Sequence, residues 1–295
     1  MICYDCCFLV ILDAMQSTPL FQSRIGLGTW QMGEDPSQAK AECAAIAHAL
    51  AVGYRLIDTA EMYADGVAES LVGKALGPFA SSRRTEVTLV SKVLPHHANK
   101  SGTIKACEAT LRRMQCDYLD HYLLHWQGSH SYESTIEGFL TLQARGLIRH
   151  FGVSNFDLEA LQRWRVAEEN VGSSSHSQSN QVYYALNQRG IEFDLLPAMN
   201  KLNIALMAYS PLGTGNLAQH AGLALLAAEH GLSAAQLALA WILRHPHAVA
   251  IPKSTHLARI EENWQASQIQ LSATTLTQLD ALFISPTRAS RLAII

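Results

Sequence analysis

The sequence predicts a single-domain α/β protein, a (β/α)8 TIM barrel, on three observations. From Arg24 onward, short runs rich in Val, Ile, Leu and Tyr alternate with longer amphipathic stretches, the pattern of strands followed by helices. Eight such runs can be counted, and most start about 30 residues after the one before, the length of a strand–helix unit. The second, third and fourth runs end on Asp58, Lys92 and His125. In a barrel, the C-terminal ends of the strands converge on one mouth.

Strands are expected at 25–30, 56–59, 89–93, 119–125, 150–154, 181–184, 205–210 and 249–254. Helices are expected between them, among them 37–51, 66–76, 102–114, 134–144, 158–169 and 233–244. Their apolar residues recur at three- and four-residue spacing, as Leu237, Ala240 and Trp241 do on one face with Arg244 as its polar exit. Asp157 and Ser233 stand where N-caps belong, and Gly53, Gly146 and Gly231 follow helical runs. A doubly wound sheet is the competing architecture. GLGTWQMG at 26–33 does not fit the G-x-G-x-x-G turn that such a sheet carries after its first strand. GSSSHSQSN at 172–180 is the one low-complexity stretch and reads as an exposed loop entering the sixth strand.

Composition narrows the function classes. The chain has 295 residues, 48% of them hydrophobic, with a formal net charge of -3. That is enough chain for a sizeable core, and the lack of a long basic run argues against nucleic acid as a partner. Cys3, Cys6 and Cys7 crowd the start, but no second cluster completes a four-ligand set, so no metal site is expected. Cys43, Cys107 and Cys116 read as small buried hydrophobes of a reducing, cytoplasmic compartment. The apolar run CCFLVIL is too short to span a bilayer and lacks a basic flank. Residues 1–14 therefore read as an extension upstream of a domain start at Met15, and 15–295 as one barrel.

Asp58, Tyr63, Lys92 and His125 bring an acid, a phenol, an amine and an imidazole to that mouth. A phenol has an ordinary pKa of about 10, so as a proton donor near neutral pH it must be tuned. An ammonium beside it lowers that value, and a carboxylate can hold the ammonium in place. An imidazole N–H can orient a carbonyl oxygen and share its developing charge. Each residue alone has a blander reading: a packed loop aromatic for Tyr63, a solvated strand-end lysine for Lys92, a core histidine for His125, a helix cap for Asp58. Together they describe a proton-donating site for reducing an aldehyde or ketone.

At these residues the chain resembles the aldo-keto reductase family over residues 24–280. The resemblance rests on an ordered set: GLGTW at 26–30, IDTAEMYADG at 57–66, VSKV at 90–93, LDHYLLHW at 119–126, GVSNF at 152–156, NQVYY at 180–184, AYSPL at 208–212 and IPKS at 251–254. GEDPSQAK, IDTAEMYADG and GIEFDLLP follow the short bacterial branch that includes methylglyoxal reductases. The resemblance implies that Tyr63 is the general acid, that Lys92 and Asp58 tune it, and that His125 orients the substrate. It implies a nicotinamide dinucleotide whose carboxamide meets Ser154, Asn155 and Gln181 and whose ring stacks on Tyr209. The main chain at Ser210, Pro211 and Leu212 would touch the pyrophosphate, and Gly28, Thr29, Trp30 and Ile251 would complete the cradle. Glu262 and Asn263 match the adenine-contacting positions. Lys253, Ser254 and Arg259 supply two cations and a hydroxyl suited to a 2′-phosphate, so NADPH is expected, with NADH a weaker substitute.

His121 departs from the family pattern, which carries an apolar residue there. It shares strand parity with His125 and is expected to be a neutral, hydrogen-bonded core histidine that couples modestly to the site. The loops after His125 and Leu212 are short, and so is the tail beyond Leu282. The mouth is therefore expected to be shallow and open, flanked by Trp30, Tyr63 and Trp126, and suited to methylglyoxal or aromatic aldehydes rather than sterols. A monomer that docks on no membrane is expected. Two other classes compete. Lys92 could be a Schiff-base lysine of an aldolase, or the same fold could be a non-catalytic redox-sensing subunit that only binds a dinucleotide.

Overall fold

In the computed structural model, the structure describes residues 20–295; the expected extension at 1–14 and its three cysteines lie outside the described residues. Eight parallel strands follow one another round a single sheet in chain order: β1 (Leu27–Gly28), β2 (Leu56–Asp58), β3 (Thr88–Val93), β4 (Leu119–Leu124), β5 (Ile148–Ser154), β6 (Ser179–Tyr183), β7 (Ala205–Tyr209) and β8 (Ala248–Ile251). The sheet closes on itself where Ile25 bridges Ala250, with Gly26 N donating to Ala250 O at 2.8 Å and Gly28 N to Pro252 O at 3.1 Å. The predicted barrel is what forms.

The helices alternate with the strands: α1 (Ala39–Val52), α2 (Val67–Arg83), α3 (Lys100–Met114), α4 (Tyr132–Ala144), α5 (Leu158–Asn170), α6 (Leu195–Lys201), α7 (Ala221–Glu229), α8 (Ala234–Ile242), α9 (Leu257–Gln265) and α10 (Ala273–Leu282). Asp157 caps α5 through Ala160 N at 2.8 Å, and Ser233 and Gln236 form a reciprocal capping box on α8. Among the described residues no single helix is long and apolar enough to cross a membrane.

The core has two parts. Strand residues facing outward pack against the helix ring, with Phe139, Phe151, Trp164 and Trp241 among its largest members. Inside the barrel, Leu56, Val90, Leu123, Met207 and Val249 fill the bore, and Phe21 plugs its floor. Side chains alternate along a strand, so the same parity that buries Leu56, Val90 and Leu123 carries Asp58, Lys92 and His125 to the top.

Three expectations need correction. Strand eight ends at Ile251 rather than 254, because Pro252 has no N–H to continue the ladder. The 172–180 segment is not simply exposed: Ser177 and Ser179 are buried, and the buried Glu168 carboxylate accepts from Ser177 N at 2.6 Å and Trp164 Nε1 at 2.8 Å. His121 sits at the floor, its ring 4.8 Å from Phe21 and 5.0 Å from His150. It is neutral, since burial first and His150 second pull its pKa down to about 3, with the Leu20 main chain a minor opposing influence. Among the described residues neither ring nitrogen reaches a partner at full hydrogen-bond geometry, so the hydrogen bond expected of this histidine is not formed among them.

Candidate active site

Each strand delivers one residue to the mouth: Gly28, Asp58, Lys92, His125 (one position past β4), Ser154, Gln181, Tyr209 and Ile251. All but Lys92, which is buried behind Asp58 and Tyr63, line a cavity of about 400 Å³. A side chain at Gly28 would bring its Cβ within 2.9 Å of Ile251 O, so only glycine lets β1 and β8 pack this closely here.

Lys92 is fully buried and all three of its ammonium protons are spent. Nζ donates to Asp58 Oδ2 at 2.8 Å, to Thr59 O at 2.8 Å and to Tyr63 Oη at 3.2 Å. Burial alone would lower its pKa, but the charge of Asp58 and the phenol of Tyr63 outweigh that and raise it. Lys92 therefore stays an ammonium. Asp58 Oδ1, the other carboxylate oxygen, accepts from Gln181 Nε2 at 2.7 Å across the barrel.

Tyr63 sits on a short 3-10 turn (Tyr63–Gly66) whose next two residues, Ala64 (φ 47°) and Asp65 (φ 50°), hold left-handed backbone. Non-glycine residues there cost about 1 kcal/mol or more each and persist only where the surroundings enforce them. The sequence argument put the phenol's pKa below its usual value. In the folded protein the net direction is up: burial raises it, Lys92 opposes, and Asp58 adds to burial. Since Lys92 donates to Oη, the phenol keeps its own proton free for a ligand in the cavity.

His125 stands edge-on to Tyr63, ring centroids 5.9 Å apart. Burial and then the Lys92 charge hold its pKa down to about 2, so the imidazole is neutral. Its Nδ1 is buried and, among the described residues, has no partner. A proton there would be a wasted buried donor, which favours the Nε2–H tautomer that can donate elsewhere.

Opposite, Tyr209 stacks on Tyr183 (5.7 Å, 17°) and donates to Asn155 Oδ1 at 2.9 Å. Asn155, itself left-handed at φ 57°, donates through Nδ2 to His125 O at 3.2 Å. Ser154 Oγ donates to Gln181 O at 2.9 Å. Ser210 follows in left-handed backbone at φ 46°. Thr29 is fully buried and its hydroxyl holds Asp58 O at 3.0 Å.

The cavity lining brings together the expected Gly28, Trp30, Asp58, Tyr63, His125, Trp126, Ser154, Asn155, Gln181, Tyr209, Ser210, Ile251 and Lys253. Thr29, Pro211, Leu212, Ser254, Arg259, Glu262 and Asn263 lie outside it, the last three on α9. Lys253 and Arg259 are exposed and, among the described residues, have no hydrogen-bond or ion-pair partner. Met62, Ile294 and Ile295 also line the cavity and were missed. Met62 was legible as the neighbour of Tyr63. The tail residues were not, and they make the mouth more walled than the short tail suggested.

The Aldo/keto reductase family model matches residues 24–284. A methylglyoxal reductase of Escherichia coli (strain K12) is 44% identical over 89% of this chain and 91% of its own. An aldo-keto reductase of Mycobacterium sp. (strain KMS) is 34% identical, over 93% and 92%. The crystal structure of an aldo-keto reductase from Klebsiella pneumoniae in complex with NADPH superposes with a TM-score of 0.86 at 45% identity, over 92% of this chain and 95% of that one. The barrel, the mouth built from every strand and these likenesses agree, and this chain belongs to the aldo/keto reductase family.

Proposed function

We propose that the protein reduces small aldehydes and ketones to alcohols with NADPH, Tyr63 protonating the carbonyl oxygen. The observation that carries this reading is the ammonium of Lys92, which donates to Asp58, Thr59 O and Tyr63 at once and leaves the phenolic proton aimed at a ligand. Neutral His125 offers a second donor to the same oxygen and cannot itself take the proton above about pH 4, given its pKa near 2.

The residues fit a nicotinamide dinucleotide. Tyr209, backed by Tyr183, offers a flat shelf. Gln181 offers an acceptor oxygen towards the cavity, because its amide nitrogen is engaged by Asp58. Lys253 and Arg259 carry positive charge that is unpaired among the described residues and suited to a 2′-phosphate. When bound, the reduced cofactor supplies the two electrons and the hydrogen that the carbonyl carbon accepts. Ser154 and Asn155 brace that side of the site, and Glu262 and Asn263 would face the adenine.

The substrate end is walled by Trp30, Met62, Trp126, Ile294 and Ile295. Such walls suit methylglyoxal and aromatic aldehydes and discriminate weakly between similar compounds. A Schiff-base role for Lys92 is disfavoured, because it needs a free amine and this one is held as an ammonium. The reading has the protein act as a cytoplasmic monomer. The test follows NADPH consumption with methylglyoxal, comparing NADPH with NADH and wild type with Tyr63→Phe. Consumption that disappears in the variant supports the reading. Wild-type protein that binds NADPH tightly yet reduces no small aldehyde would instead support a dinucleotide-sensing subunit.

A further inference from the structure

In the acid–amine–phenol relay Asp58 has a second side-chain partner besides Lys92. Its Oδ2 is taken by Lys92 and its Oδ1 by Gln181 Nε2, at 2.8 and 2.7 Å. Asp58 is on β2 and Gln181 on β6, strands on opposite sides of the barrel, so this hydrogen bond crosses the bore above its apolar filling. Gln181 is 2% exposed, and its nitrogen also faces Met207 Sδ at 3.9 Å. A flipped amide would set oxygen against carboxylate, acceptor against acceptor, so the network dictates the orientation. NH2 points at Asp58 and Oε1 is left for the cavity.

We propose that Gln181 is a positioning residue of the proton relay: its NH2 holds the second oxygen of Asp58, so the side chain that faces the nicotinamide carboxamide also fixes how Asp58 seats Lys92 against Tyr63. This rests on the reductase reading above. Its consequence is a coupling between cofactor and proton donor. Removing the NH2 leaves a buried carboxylate oxygen without a donor, which strengthens its pull on Lys92 and its field at Tyr63. The charged and titratable groups facing this spot are Asp58 from β2, Lys92 from β3, Tyr63 from its turn, His125 after β4, Tyr209 from β7 and Lys253 after β8. Only Gln181 touches both Asp58 and the shelf side of the cavity among the described residues.

The experiment measures kcat and KM for methylglyoxal against pH, at saturating NADPH, for wild type, Gln181→Leu and Gln181→Glu. Separately, quenching of tryptophan fluorescence gives the dissociation constant of NADP+ against pH. Gln181→Glu keeps the shape and keeps a donor to Asp58 while the two carboxyls share a proton, which like charges this close retain into the neutral range. Gln181→Leu is expected to lose about tenfold in kcat and to shift the basic limb of the profile, with substrate KM changed by about twofold at most. Gln181→Glu is expected to stay active at low pH and to lose about tenfold as the shared proton leaves. Its NADP+ affinity should bend at the same pH, and in an Asp58→Asn background, where no second carboxylate shares the proton, that bend should move to lower pH.

A Gln181→Leu protein whose sole defect is weaker NADP+ binding, with wild-type kcat and pH profile at saturation, overturns the proposal. So does a bend in the Gln181→Glu binding curve that stays at the same pH in Asp58→Asn. Should Gln181→Leu not fold, the isosteric glutamate variant still decides. Wild-type protein that binds NADP+ but turns over no carbonyl marks failure of the reductase reading instead, and the binding arm still judges the Asp58 contact.

Discussion

Asp58 Oδ2 and Lys92 Nζ lie 2.8 Å apart with 3% and 0% of their side chains exposed, an ion pair shut inside the barrel mouth. Removing one partner of such a pair leaves a charge buried without compensation, which typically costs about 3–5 kcal/mol. Lys92→Met is expected to lower stability by that order, and Asp58→Asn combined with Lys92→Met to recover part of it. Urea unfolding of the two variants and wild type checks this. Equal losses in the single and double variants would refute it.

His125 is neutral far below the working range, its pKa held near 2 by burial and by Lys92. Its titration therefore contributes no limb to the pH–rate profile above about pH 4. His125→Gln is expected to lower kcat/KM for methylglyoxal by roughly a hundredfold while leaving the profile's shape between pH 5 and 8 unchanged. A limb that vanishes in the variant would show that the imidazole does titrate there.

His121 links the barrel floor to acid stability. Its folded pKa of about 3 lies below the ordinary value of 6.5, so the unfolded chain binds the proton more readily. Stability is fully present above about pH 6.5 and is lost as pH falls from there towards 3, by about 2 kcal/mol at pH 5. His121→Leu should remove that part of the acid sensitivity. Urea midpoints at pH 5 and pH 7.5 measure it, and a pH dependence identical to wild type would count against the buried neutral state. Among the described residues the ring packs on Phe21 and His150 at the barrel floor, so the variant's pH–rate profile is expected to match wild type, against the sequence-based expectation of coupling.

Lys253 and Arg259 are exposed cations without partners among the described residues. Lys253→Ala and Arg259→Ala are each expected to weaken NADPH binding by about tenfold, and to leave NADH binding nearly unchanged. The ratio of the two dissociation constants is the readout. Parallel losses for both cofactors would remove the 2′-phosphate assignment.

Ile294 and Ile295 form part of the cavity wall although they are 60% and 54% exposed. Partial burial of an aliphatic side chain against a ligand is worth about 1 kcal/mol. Ile294→Ala and Ile295→Ala should therefore raise KM about fivefold for an aromatic aldehyde and little for methylglyoxal. Equal effects on both substrates would show that the tail acts on something other than the substrate's apolar part.

By itself the sequence determined the eight strand–helix units, the barrel, and the residues at the strand ends. These are local signals, the two-residue parity of strands and the helical spacing between them, and Asp58, Lys92 and His125 stand where that parity carries them upward. Cap positions such as Asp157 and Ser233 were equally legible, because they involve residues three apart. Only the tertiary structure decided what depends on closure of the ring. The bond from Gln181 to Asp58 joins residues 123 positions apart, and nothing in either motif announces the other. The net upward pull on the Tyr63 phenol depends on how far burial outweighs the nearby ammonium, a balance of solvent exclusion that no spacing encodes. The return of Ile294 and Ile295 to the mouth, and the packing of His121 against Phe21 and His150, are set by where distant segments come to rest once the bore is filled.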